Sequence, residues 1–361
     1  MKKPHILMMA AGTGGHVFPA LAVSELLAER GAVIHWLGTA NGMENRLVAP
    51  TGYEFHAIAM QGLRGKGVGR LLKMPMTLLA ATMAVIKIIR SNKIDMVVGF
   101  GGYVTAPGGI AARMTGTPLM IHEQNAIAGM SNRYLAKIAT KVLQAFENTF
   151  ANSKFNSKLE TVGNPVRNAI SGVAAPAERY DVNDDSPLRL LVVGGSLGAQ
   201  VLNSTVPKAL ALLERPFEVR HQCGRDNEKV TQAAYDAEDL TAHKVSVQPF
   251  ISDMAAAYQW ADVIVCRAGA LTVTEIQNVG IAAIFVPLPS AVDDHQTANA
   301  RTLTEHNAAL LLPQSELTPK RLSDELLVLN RQNCLKMAQQ GHALANRSAS
   351  QQVADIIWHA L

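Results

Sequence analysis

Cysteine is scarce in this 361-residue chain: Cys223, Cys266 and Cys334 are the only three, and none belongs to a Cys-x-x-Cys pair. That excludes a disulfide framework and a zinc ribbon and suits a reducing cytoplasm. Aromatic residues make up only 5%, too few for a nucleic-acid stacking platform. Acid is missing altogether between Glu54 and Asp95, a stretch that holds Arg64, Lys66, Arg70, Lys73, Lys87, Arg90 and Lys93. The uncharged run between Lys73 and Lys87 falls short of the ~20 residues that span a bilayer. The apolar run after Lys2 and Lys3 meets glycines at once, so it reads as a buried first strand and not as a signal peptide. Neither a Walker sequence nor an Asp-x-Asp pair for a metal-held diphosphate occurs. A bound diphosphate would therefore rely on helix N-termini, hydroxyl groups and Arg167, without a metal.

What is present is apolar and unevenly charged. A hydrophobic fraction of 48% with 17% charge describes a globular protein of two domains. Residues 1–160 hold 17 basic and 8 acidic side chains, net +9, whereas residues 161–361 hold 16 and 21, net −5. Halves of opposite sign suggest that the first meets an anionic partner. Its basic stretch is interleaved with Leu, Met and Ile, which favours an anionic membrane surface over nucleic acid. Residues 74–86 can lie in the membrane interface or form an ordinary core helix with a basic rim.

Short apolar strands alternate with helical segments at residues 5–9, 33–37, 96–98, 118–121 and 142–144. This is the grammar of a parallel sheet with crossover helices, an α/β fold. Residues 171–187, rich in Ala, Pro, Asp and Ser, read as the interdomain linker. A second series of strands and glycine turns starts at Leu188, as two Rossmann-like halves would give. The expected domains are 1–165, 166–345, and a C-terminal helix over 346–361 packing back on the first.

Three glycine turns follow strands: Gly12-Thr-Gly-Gly-His16, Gly99-Phe-Gly-Gly-Tyr103 and Gly194-Gly-Ser-Leu-Gly198. Each aims backbone N–H groups at the carboxyl edge of a sheet, where anions bind. The first is no dinucleotide fingerprint, because Val17 stands where a third glycine belongs and Gly38-Thr39 brings no acid to a ribose. The third also matches the nucleophile elbow of serine esterases, but no His-Gly-Gly-Gly oxyanion segment accompanies it. Ser196 reads better as a hydroxyl donor to phosphate. Thr272 and Glu275 lie three apart after the strand at 263–266 and the small residues 268–270. They are either a capping box or, for Glu275, a grip on ribose hydroxyls. His16, at the first helix start, is either a general base or a binder of the acceptor's pyrophosphate.

Together these segments resemble the MurG transferases of glycosyltransferase family 28, in family order. The resemblance rests on Gly12-Thr-Gly-Gly-His-Val-Phe-Pro19, Gly101-Gly-Tyr-Val-Thr-Ala-Pro107, His122-Glu-Gln-Asn125, Gly163-Asn-Pro-Val-Arg167, Gly194-Gly-Ser-Leu-Gly-Ala199, Arg267-Ala-Gly-Ala-Leu-Thr-Val-Thr-Glu275 and His295-Gln-Thr-Ala-Asn-Ala300. It covers nearly the whole chain. It implies two Rossmann-like domains with parallel sheets facing a central cleft, the GT-B architecture. The implied reaction is inverting, metal-independent and cofactor-free transfer of N-acetylglucosamine from UDP-GlcNAc to the C4 hydroxyl of the muramoyl sugar of lipid I, giving lipid II. Carried over by residue, the donor side comprises Thr13, Gly14, Gly15, Asn125, Arg167, Ser196, Ile251, Ala270, Leu271, Thr272, Val273, Thr274, Glu275 and Gln296. The acceptor side has His16 as catalytic candidate with Gly102, Tyr103 and Glu123. The resemblance further implies a peripheral place on the cytoplasmic face of the inner membrane, with roles in cell shape and division and cell-wall and division machinery as partners. Two departures are visible: Ala11 stands where a glycine is expected, and residues 147–160 look like an insertion. A UDP-GlcNAc 2-epimerase of the same architecture and a non-catalytic sugar-nucleotide binder are the alternatives.

Overall fold

The structure is a computed structural model that describes residues 3–60, 68–150, 156–195, 197–289 and 294–361. Arg64, Lys66, Ser196 and the centre of the expected insertion, residues 151–155, lie outside the described residues. The chain divides into two compact units, Met1–Arg167 with Asn346–Leu361, and Asn168–Ala345.

Unit 1 runs β1 (His5–Ala10), α1 (Gly14–Glu29), β2 (Val33–Gly38), α2 (Met43–Val48), β3 (Glu54–Ala57), α3 (Val68–Ser91), β4 (Met96–Gly101), α4 (Thr105–Thr115), β5 (Leu119–Glu123), α5 (Met130–Leu135), β6 (Lys141–Gln144) and β7 (Leu159–Thr161). Its strands are all parallel, in the order β3-β2-β1-β4-β5-β6-β7. Order reverses between β1 and β4, so the crevice beyond their carboxyl ends is where a ligand of such a sheet belongs. Both faces are covered. Leu7, Met9 and Leu37 meet Ala81, Val85, Ile86 and Ile89 of α3 in one core, while Met8, Trp36 and Phe100 join Val17, Val23 and Leu27 of α1 in the other. Strands buried on both faces are near-continuous apolar runs, as β1 and β4 are.

Unit 2 runs α6 (Asn168–Ser171), α7 (Pro176–Arg179), β8 (Leu188–Val193), α8 (Gln200–Leu210), β9 (Phe217–Gln222), α9 (Glu228–Asp236), β10 (Lys244–Gln248), α10 (Met254–Trp260), β11 (Val263–Cys266), α11 (Ala270–Val279), β12 (Ala282–Phe285), α12 (His295–Thr304), β13 (Leu310–Leu311), α13 (Pro319–Leu327) and α14 (Arg331–Ala343). Its parallel sheet has the order β10-β9-β8-β11-β12-β13, reversing between β8 and β11. The final helix, α15 (Ala349–His359), returns to unit 1. There Val353, Ala354 and Ile357 are fully buried beside α1, and Arg30 pairs with Asp355.

The stretch expected as a linker belongs to unit 2 instead. Arg179 donates to the carbonyls of Ala174, Tyr258, Val279 and Gly280, and the Tyr180 hydroxyl donates to Asp262 O at 2.6 Å. Arg331 holds the carbonyls of Ser186 and Pro187 at 2.8 and 3.1 Å. Two buried or half-buried arginines and a tyrosine thus fix an aperiodic segment that has no hydrophobic pattern of its own.

Helix α3 has a core face and an exposed face within residues 74–86. Residues 74–91 are apolar and long enough for a membrane span by length and composition, yet Ala81, Val85, Ile86 and Ile89 are buried in the unit's core. Another face exposes Met76 (77%), Leu79 (62%) and Met83 (54%).

Candidate active site

At the carboxyl edge of unit 1, β1 passes through Gly12, whose φ of +100° suits glycine, into α1. Thr13 is the extended N-cap residue, its side chain does not cap, and the first turn carries no acid. That leaves a positive helix end next to Gly14 and Gly15. The facing turn depends on Gly102: at φ +86° any Cβ there would run into the carbonyl oxygen of Ala11.

A carboxylate that the sequence reading passed over organises this edge. Glu44 is fully buried. Its Oε2 accepts from Gly12 N–H at 3.2 Å, and Oε1 accepts from the Thr39 N–H and hydroxyl at 2.9 and 2.8 Å. Since the Thr39 hydroxyl donates to Glu44, the Tyr103 hydroxyl 3.2 Å away is the donor to Thr39. One buried acid therefore joins the first glycine turn, the end of β2 and the second turn. Its oxygens are taken up by the protein and not by a ribose.

His16 stands in a relay whose protons can be assigned from its far end. His122 is buried, stacks on Phe100, and has a pKa pushed down to about 4 by burial, so its ring is neutral. Its Nε2 lies 2.9 Å from Gly163 O. A carbonyl can only accept, so Nε2 holds the proton and Nδ1 is an acceptor. Gln124 Nε2 donates to that Nδ1 at 3.1 Å, which turns Oε1 toward His16 Nδ1 at 2.9 Å. His16 Nδ1 is then the donor, and the lone pair of the neutral ring is at Nε2. The half-exposed imidazole is thus oriented with Nε2 as its accepting atom.

Glu123 departs from its expected place on the acceptor side. It is 2% exposed, and its oxygens accept from Asn125 N–H, Asn125 Nδ2, Gly129 N–H and Asn132 Nδ2 at 2.8–3.1 Å. It shapes the loop that carries half-buried Asn125 instead of meeting a ligand. Arg167 closes unit 1, its guanidinium stacked 4.4 Å over the Phe18 ring, a cation–π contact that fixes the side chain.

Unit 2 repeats the arrangement. Gly198, at φ +76°, leaves no room for a Cβ against Cys223 O, and α8 starts at Gln200 without a side-chain cap. Gln222 Nε2 donates to Gly195 O at 3.1 Å, which holds the start of the turn. Below lies a second buried histidine, His221, bonded to Asn203 and Tyr235 at 3.0 and 2.8 Å. Burial pushes its pKa down to about 3.

The turn after β11 opens α11 with Gly269 as N-cap, without a side-chain cap. Thr272 is therefore the third residue of the helix, and a Thr272–Glu275 capping box is not formed. Glu275 is 5% exposed and accepts from the Tyr258 hydroxyl at 2.9 Å. Within the expected Ala270–Glu275 segment, Val273 is in the core and Thr274 bonds back to Ala270 O at 3.0 Å, so these two side chains face inward. Leu271 and Thr272 are half-buried. Ile251 is 8% exposed, just before α10, which leaves its backbone as the part able to read a ligand. Arg267 donates to Val286 O and Pro287 O at 3.0 and 3.1 Å, tying the β11 and β12 turns together. Gln296 Oε1 accepts from Leu288 N–H at 2.9 Å, which directs its amide nitrogen, a donor, away from that contact. A cavity of about 440 Å³ lies here, lined by Gln200, Ser204, Arg267, Leu288, Pro289 and Gln314 among others. Turns from β8, β11 and β12 thus converge beside one cavity at the switch point of the sheet.

Comparison with known proteins matches residues 6–144 to the glycosyltransferase family 28 N-terminal domain and residues 189–357 to the family 28 C-terminal domain. The UDP-N-acetylglucosamine--N-acetylmuramyl-(pentapeptide) pyrophosphoryl-undecaprenol N-acetylglucosamine transferase of Psychrobacter arcticus is 83% identical over 361 residues, all of both chains. The transferase of the same name from Acinetobacter baylyi is 50% identical, covering 99% of this chain and 98% of its own. The crystal structure of Acinetobacter baumannii MurG superposes with a TM-score of 0.85 at 45% identity over 99% of each chain. A putative UDP-N-acetylglucosamine 2-epimerase from Listeria monocytogenes reaches 0.68 at 14% identity, covering 99% and 96%, which is a likeness of fold alone.

Proposed function

The chain belongs to glycosyltransferase family 28, and from that premise we infer that it transfers N-acetylglucosamine from UDP-GlcNAc to lipid I, giving lipid II for peptidoglycan. The observation that carries this is the 83% identity, end to end, with a transferase of that name. The protein is an N-acetylglucosaminyltransferase. The epimerase reading is not favoured, since its support is a fold shared at 14% identity.

Unit 1 takes the acceptor. The C4 hydroxyl of the muramoyl sugar gives its proton to His16 Nε2 while attacking the anomeric carbon from the face opposite the UDP, so the product is β-linked and the configuration inverts. A base of near-neutral pKa suits this step, and the Gln124–His122 relay keeps Nε2 the accepting atom. Gly102 and the Thr39-held Tyr103 line the acceptor side. Unit 2 takes the donor. Backbone at Ile251 reads uracil, the start of α11 and Ser196 hold diphosphate, Glu275 accepts from the ribose hydroxyls, and Gln296 donates to the sugar. Thr13, Gly14, Gly15, Asn125 and Arg167, all in unit 1, are assigned to the donor by the family resemblance. Helix ends and hydroxyls neutralise the leaving diphosphate, so transfer needs neither metal nor cofactor.

The enzyme works at the cytoplasmic face of the inner membrane, beside the cell-wall and division machinery. Exposed Met76, Leu79 and Met83 enter the acyl boundary, with Lys87 and Arg90 near anionic headgroups.

Incubation with UDP-GlcNAc alone and then with a lipid I analogue tests the activity. Disaccharide formed at the same rate with and without chelator is expected. Epimerised sugar nucleotide would favour the epimerase, and no turnover under either condition would leave a binding protein.

A further inference from the structure

Three strands of unit 1 bring together a cluster that the transfer chemistry leaves unused. His5, His35 and His56 stand on β1, β2 and β3 and stack as a ladder, with ring centroids 5.2 and 5.4 Å apart. The parallel register sets His35 beside Glu54. His56, two residues on from Glu54, projects from the same face of the sheet.

The donor atoms form a triangle. His35 Nδ1 lies 3.1 Å from His56 Nε2 and 3.2 Å from Glu54 Oε2, and His56 Nε2 lies 3.6 Å from Glu54 Oε1. Four ligands at about 2.0–2.1 Å around a tetrahedral cation stand roughly 3.3–3.4 Å from one another. The separations of 3.1–3.6 Å, with one Glu54 oxygen toward each imidazole, are close to such edges, and these residues each place a ligand atom within 4.8 Å of the others. If His35 bound a cation through Nδ1, its proton would sit on Nε2, which is 2.9 Å from His5 Nδ1. His5 is thus in place as the outer acceptor that a metal-bound histidine requires. Without a cation, one proton on His35 Nδ1 would have to serve both His56 and the carboxylate. The side chains of His35 and His56 are 2% and 13% exposed and that of Glu54 57%, so the carboxylate closes the triangle from the solvent side and leaves access for the ion and a water.

We propose that His35, Glu54 and His56 bind a divalent first-row transition cation of the zinc class and clamp the edge strand β3 to β2. Two imidazoles and one carboxylate select such an ion over magnesium or calcium, which prefer oxygen alone. The role is structural: β3 has four residues and pairs on one side only, so a cross-strand ligand set fixes what few ladder bonds can.

Full-length protein, stripped by chelator and titrated with Co²⁺, should develop the visible absorption of a tetrahedral ion that saturates at one equivalent and is displaced by Zn²⁺. Zn²⁺ at about a hundredfold excess over its Kd should raise the melting temperature of unit 1 by roughly 5–10 °C. His56→Ala and Glu54→Gln should each lose both signals with an unchanged circular dichroism spectrum, and the isosteric Glu54→Gln guards against a folding defect in the first. Absence of the absorption in the wild type, or its survival in both variants, would overturn the site.

Discussion

His16 can accept a proton at Nε2 only while Nδ1 holds one, and Gln124 is the side chain that keeps it there. Replacing His16 by Ala should cut turnover roughly 10²–10⁴-fold with UDP affinity nearly unchanged. Gln124→Leu removes the acceptor without touching the ring and should lower kcat by roughly 10–100-fold, the worth of one hydrogen bond to a group that becomes charged. Steady-state kinetics with a varied lipid I analogue check both. A kcat within a few-fold of wild type for His16→Ala, with a raised KM for the acceptor, would make His16 a binder. On α11, Glu275→Gln should weaken UDP binding by about 1.5–3 kcal/mol, as for a hydrogen bond to a charged group. Calorimetric titration decides; unchanged affinity with a lower melting temperature would assign Glu275 to holding Tyr258 alone. His16 and Glu275 stand out as candidates in the sequence because each follows a strand and a turn of small residues, whereas Gln124 is one of four polar residues in a row and nothing local marks it above its neighbours. Glu44 was not: it is a lone acid on a short helix, and its meaning comes from reaching Gly12 and Thr39 in the folded chain. No local spacing announces such a contact.

Helix α3 has to satisfy a core and a surface along one length. One face buries Ala81, Val85, Ile86 and Ile89, while Met76, Leu79 and Met83 recur at i, i+3 and i+7 and stay exposed. An apolar stripe of that kind beside Lys87 and Arg90 should bind vesicles of anionic lipid and release them as salt is raised. Met76→Asp with Leu79→Asp should lower the sedimented fraction by at least several-fold while leaving transfer to a soluble lipid I analogue intact; equal sedimentation of variant and wild type would remove α3 from the membrane contact. The sequence alone offered both readings of this helix because periodicity does not say which apolar face meets a core. The same limit hid β3: Glu-Phe-His-Ala carries no apolar run, and it is a strand because β2 offers a free edge. Buried parallel strands such as β8 and β11 were legible at once, being mostly Val, Ile and Leu.

On the scale of the whole molecule, the chain crosses between its units twice, at Arg167 and again at Ala345, so the last sixteen residues complete the core of the first unit. The alternation of strands and helices made two Rossmann-like units readable. The boundary was harder, because residues 171–187 look like a linker and are anchored largely through single side chains such as Arg179, Tyr180 and Arg331. This topology has a thermodynamic consequence. Ile357, fully buried with Val353 and Ala354 against Val17, Val23 and Leu27, lies far along the chain from most of the unit it stabilises. Ile357→Ala should cost unit 1 about 2–5 kcal/mol, the lost transfer energy plus the cavity left behind. For a unit of this size that is a fall of roughly 5–15 °C in its melting transition. The described core around Ile357 is built from unit 1 residues, so UDP should still bind and still stabilise the other transition in a calorimetric scan of the variant. A melting temperature of unit 1 within about 1 °C of wild type would mean that α15 only rests on that unit and takes no share in its core.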